Sequence, residues 1–132
     1  DVEEDADTGF LVVRAGVDNK RVKEAVSTIL KEFKKISSQK VSNEELKKAK
    51  DNIRGRLALS LETSDAQASF YAGQELLEHE ILTEEEIFKK VDKVTQNDIL
   101  KVAKDIFKLE SLNLALIGPF KDSGDFKKLL KF

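Results

Sequence analysis

Glu78, His79 and Glu80 stand side by side in the stretch ELLEHEILTEEE, and His79 is the only histidine in the chain. Histidine among carboxylates is the donor chemistry of zinc, so this is the first place to look for a metal site or an activated water. The spacing argues against it. Three consecutive residues point in different directions in a helix or a strand, whereas ligands on a helix need the three- or four-residue spacing of an H-x-x-E-H motif. There is no cysteine to complete a ligand set. Thr83-Glu84-Glu85-Glu86 has a sufficient reading of its own, with Thr as an N-cap and acidic groups at the positive end of a helix. His79 is expected to be a loop residue between two helices.

The other reactive-looking residues lead no further. Arg54 and Arg56 flank Gly55 inside a helical pattern, where glycine costs about 1 kcal/mol relative to alanine. Close helix packing at Gly55 is the plain explanation, and anion binding by the two arginines the sharper one. Tyr71, the sole tyrosine, follows apolar Phe70 and reads as half-buried, with no base placed to activate it. Gly73-Gln74 lacks the glycine spacing and the lysine of a phosphate loop. The runs EEDAD, EELKKAKD and FKKLLKF read as solvated faces. The expected set of catalytic, cofactor-binding and metal-ligating residues within this chain is therefore none.

Composition bounds the rest. A chain of 132 residues, 40% hydrophobic and 36% charged with one proline, fits a single folded domain spanning 1–132. Its 23 basic and 25 acidic residues leave a formal net charge of −2, which gives no basic excess for nucleic acid. No apolar run approaches the roughly 20 residues of a membrane span. The acidic opening DVEEDADTG has no signal-peptide order. No methionine occurs, so Asp1 is expected to be an internal cut point or a processed end.

The elements that must position these residues are a strand, a helical block and a second strand. GFLVVRAGV, 9–17, is Val/Leu-rich and bounded by glycine, as strands are. Val22, Ala25, Val26, Ile29, Leu30, Phe33 and Ile36 recur at helical spacing. Ser42 opens a capping box with Glu45, followed by a face of Leu46, Ala49, Ile53, Leu57 and Leu61. Start signals at Ser64, Thr83 and Thr95 launch three more helices. These carry Ala66, Phe70, Gly73, Leu76 and Leu77, then Ile87 and Val91, then Ile99, Val102, Ala103 and Ile106. SLNLALIGP, 111–119, is expected to be a strand, and DSGDFKKLLKF a short last helix. Two strands do not make a stable sheet, and pairing these two would close a loop of roughly 95 residues. Strand 9–17 would keep an open apolar edge, through which the chain is expected to self-associate.

The ordered series DTGFLVVRAGVD, SNEELKKAKDNIRGRLALSLETSDAQASFYAGQELL, ILTEEEIFKKVDKVTQNDILKVAKDIF and LNLALIGPF resembles the zinc metallopeptidases of the pitrilysin–insulinase type, the group of the mitochondrial processing peptidase and its bacterial relatives. The resemblance implies an α+β fold, an antiparallel sheet packed against a helical layer, here a truncated portion with few strands and about five helices. It also implies two related halves enclosing a chamber, with zinc bound by H-x-x-E-H in the first half. This chain would be a C-terminal portion of the second, non-catalytic half, with the catalytic half (on the same chain or a partner subunit) and peptide substrate as its partners. By the resemblance, Glu44 and Glu45 fall on the helix corresponding to the one that bears the last ligand in the active half, but here they read as capping and surface groups. The resemblance puts an arginine and a tyrosine of the substrate-holding kind before Asp1, on a further strand pairing with 9–17 through EEDADTG as the connection. The alternative is an inactive scaffold or interaction subunit of the same fold.

Overall fold

The computed structural model describes residues 1–4, 8–122 and 124–130. Its contacts divide them into two compact units: Asp1–Arg14 with Asn43–Val94, and Ala15–Ser42 with Thr95–Phe132. The architecture is α+β and dominated by helices.

In the first unit, β1 (Val2–Glu4) and β2 (Gly9–Leu11) form an antiparallel pair, with Val2 opposite Leu11 and Glu4 opposite Gly9. Asp1 and Val12 exchange two backbone hydrogen bonds of 2.9 Å and add one rung. The expected strand 9–17 is thus shortened to Gly9–Leu11, and Val2–Glu4 runs beside it. The residues 5–7 of the expected connection lie outside the described residues. Arg14 leans back onto Asp1 and Glu3 at 3.1 and 2.8 Å, so the end of β2 is flanked by ion pairs.

Three helices complete this unit. α2 (Asn43–Ser60) starts directly behind Ser42. α3 (Ser64–Gly73) is capped one residue earlier than its sequence signal implied: Thr63 has the extended cap backbone, and its hydroxyl accepts from the Ala66 amide at 3.4 Å. α3 then widens into a π-turn, Gln74–Glu78. The wider turn breaks the helical phase, and Leu76 and Leu77, expected on the inner face, are exposed. α4 (Glu84–Lys93) begins with the anticipated box, in which the Glu86 carboxylate accepts from the Thr83 amide and hydroxyl at 2.9 and 2.8 Å. Among its described residues, Leu61 is the buried hydrophobic of this unit.

The second unit has a true core. On α1 (Val22–Ser38), Val22, Val26 and Leu30 are buried at the four-residue spacing that puts them on one stripe. They meet Phe126 of α6 (Gly124–Lys127), with Phe33, Leu112 and Phe120 packed around them. α5 (Gln96–Ile106) starts at a second box, Thr95 with Asp98, and buries Ala103. Phe33 stacks on Phe107 at 4.4 Å between ring centres. The Gln96 amide donates to the Val41 carbonyl at 2.6 Å.

The expected strand 111–119 does not form. Leu109–Ser111 is a 3₁₀ turn, and among the described residues no backbone hydrogen bond reaches 113–117. A strand exists only where a partner takes its amides and carbonyls, and among the described residues none runs beside this segment.

Candidate functional site

His79 closes the π-turn as its C-cap, with φ 55° and ψ 24°. It is the one non-glycine residue at positive φ among those described. Histidine is among the few side chains enriched in this left-handed region, so a conformational task at a helix end accounts for its place. Glu80 is drawn off to Lys90 at 2.8 Å. The loop is fastened instead by Gln74, whose side-chain amide donates to the Leu82 carbonyl at 3.2 Å and accepts from the Leu82 amide at 2.9 Å.

Among the described residues, no three His, Cys, Asp or Glu side chains come together as a metal-ligand set. Glu44 pairs with Lys48 at 2.7 Å, one turn along the helix. The donors among the described residues do not assemble into a zinc site. Tyr71 is half-buried and packs edge-on against Phe70 at 5.3 Å.

The organised polar arrangement of the first unit lies instead in an open cleft of about 420 Å³ between α2 and α4. It arises from the helical phase of α2. The half-buried or buried positions are Leu46, Lys50, Arg54, Leu57 and Leu61, so Lys50 and Arg54 occupy the inner stripe assigned to Ala49 and Ile53, which are exposed. Lys50 donates to the Asp92 and Val94 carbonyls at 2.8 and 2.7 Å, capping the negative end of α4. One Arg54 nitrogen donates to both Asp92 carboxylate oxygens at 2.6 and 2.5 Å, and the guanidinium lies 5.0 Å above the Phe88 ring. The Arg54 guanidinium beside Asp92, reinforced by Lys50, holds its carboxyl below the usual carboxylate range.

The arrangement contains cations and a carboxylate already satisfied by each other, with no nucleophile and no base poised over open space. It clasps two helices. The anion-binding reading survives only as the internal anion Asp92, and Arg56 takes no part in the cleft. A Cβ added at Gly55 would meet nothing within 4 Å, so no close packing among the described residues calls for glycine there. Lys50 and Asp92 were missed by sequence reasoning. The available signal was that Lys50 and Arg54 stand in phase with Leu46, Leu57 and Leu61 at spacings of four and three.

Comparison with known proteins finds relatives that match most of the chain. The family model described as Peptidase M16 inactive domain matches residues 1–53. The beta subunit of the mitochondrial-processing peptidase of Saccharomyces cerevisiae is 34% identical over 93 residues, covering 70% of this chain and 20% of that protein. An uncharacterized zinc protease of Bacillus subtilis, YmxG, is 27% identical over 113 residues, 86% of this chain and 27% of its own length. A second Bacillus subtilis protein, described as the probable inactive metalloprotease YmfF, is 26% identical over 98 residues, 74% of this chain and 23% of its own. The chain spans about a fifth to a quarter of these relatives. It belongs to the M16 peptidase family, and its residues 1–53 match the part of that family described as the inactive domain.

Proposed function

We propose that this chain is a non-catalytic portion of a zinc-dependent metalloendopeptidase with the pitrilysin-type fold, acting as one α+β domain in the wall of the substrate chamber. The match of residues 1–53 to the inactive domain, with no zinc donor set among the described residues, supports this reading. The parent protein hydrolyses peptides by metal-activated water at a site in its catalytic half, on the same chain or on a partner subunit. This portion touches the peptide but supplies no reacting group. The relative described as probably inactive favours a second reading, a scaffold whose whole parent has lost its zinc.

The test is reconstitution. Titrating the isolated chain with zinc is expected to give no stoichiometric tight binding, and the chain alone no chelator-sensitive peptide cleavage. Adding it to a separately produced catalytic half is expected to raise that half's cleavage rate. Tight zinc binding or proteolysis by the chain alone overturns the proposal. A parent sequence without H-x-x-E-H, in its own chain or its partner subunit, decides for the scaffold.

A further inference from the structure

The end of α3 stands between two packings of the same residues. Along α3 the half-buried positions include Ala66, Phe70 and Gly73, at spacings of four and three. Continued in α-helical phase, that stripe reaches Leu77 next. The π-turn Gln74–Glu78 takes the phase away and leaves Leu77 56% exposed. It also ends on His79 at φ 55°, a conformation that works against any side chain with a Cβ. What the π-turn gains is the pair of hydrogen bonds between the Gln74 side chain and the Leu82 backbone. The two arrangements exclude each other. Closing the wide turn to α geometry returns about one residue to the following loop and draws Leu82 off the Gln74 side chain.

We propose that residues 74–82 form a two-state latch. One state is the π-turn held by Gln74 and Leu82. The other is an α-helical register that turns Leu77 onto the stripe of Ala66, Phe70 and Gly73. A latch needs opposing terms of similar size. Here two partly buried hydrogen bonds stand against the burial of one leucine and the release of one left-handed residue. Every group in that balance belongs to this chain, so neither state needs a partner to form. The change is also passed on. Leu82 precedes Thr83, whose amide and hydroxyl donate to Glu86 at the start of α4, and Glu80 holds Lys90 of the same helix. The end of α3 thereby pulls on the start of α4. The proposal does not depend on a role in proteolysis.

Relaxation-dispersion NMR of the chain tests it, alongside Gln74→Leu, Leu77→Ala and His79→Gly. In the unsubstituted chain, millisecond exchange is expected at amides 74–82, toward a minor state of about 1% or more with a right-handed helical Cα shift at His79. Gln74→Leu removes the bonds of the latch and is expected to raise that state by about tenfold or more. Leu77→Ala weakens the helical register, and His79→Gly relieves the π-turn, so each is expected to suppress the exchange. The measurement on the unsubstituted chain stands even if a variant folds poorly. Absence of exchange there, a residue 79 that stays left-handed in Gln74→Leu, or exchange indifferent to all three substitutions overturns the proposal.

Discussion

The two units are held together by different means. Ala15–Ser42 with Thr95–Phe132 closes around buried Val22, Val26, Leu30 and Phe126. Asp1–Arg14 with Asn43–Val94 buries Leu61 and relies on capped helix ends and the Lys50–Arg54–Asp92 clasp. Apolar burial is proportional to area and indifferent to direction, whereas a clasp depends on geometry and on charge state. Truncating one side chain should therefore damage the two units unequally, and pH should separate them.

The largest effect is expected from Leu30→Ala, at about 2–3 kcal/mol, because the site is nearly closed to solvent and leaves a cavity. Hydrogen exchange followed by mass spectrometry should show α1 and α5 losing protection. If α2 and α4 lose it to the same extent, the units unfold together and the single-domain proposal stands; if they keep it, that proposal falls.

Thr83→Ala removes the hydroxyl that caps α4 and should cost about 1 kcal/mol in urea unfolding. An unchanged midpoint would mean that the Glu86 carboxylate alone satisfies the helix start. In the opposite direction, Gly55→Ala places a methyl in open space within α2 and should stabilise the isolated chain by about 0.5–1 kcal/mol. A loss of stability there would reveal a packing neighbour.

The smallest effect concerns acid. Asp92 is held below the usual carboxylate range first by Arg54, and Glu86 first by the Thr83 amide. A carboxylate whose folded pKa is depressed contributes stability that is fully present above its unfolded pKa, near 4, and lost as pH falls through the folded value. The first unit should therefore loosen below about pH 4. In Arg54→Gln the Asp92 carboxyl should titrate nearer its ordinary value, as carboxyl-detected NMR can follow. An unshifted Asp92 would show that Arg54 is not its main support.

The parts legible in the sequence are those whose signal is local. Val22, Val26 and Leu30 announce themselves by spacing, and the Thr83 and Thr95 boxes by residue type four positions deep. The missed features are relational. Lys50 and Arg54 look like surface cations until α4 brings carbonyls and Asp92 to meet them. Residues 111–119 have a strand's composition, but a ladder needs a second strand that composition does not supply. The π-turn at Gln74–Glu78 adds a residue to one turn, and that displacement of Leu76 and Leu77 leaves no mark in the periodicity read beforehand.

Gln74 and Leu82 exchange two hydrogen bonds in the manner of facing residues in a ladder, one partner being a side chain. The segment between them is thus a ring stitched at its base, and its exposed tip carries no buried side chain. That makes the stretch around His79 a grafting port. A foreign loop spliced in after Glu80 inherits two anchored ends, and the graft holds as long as position 74 keeps an amide. Glutamate there would present a second acceptor to the Leu82 carbonyl and open the ring.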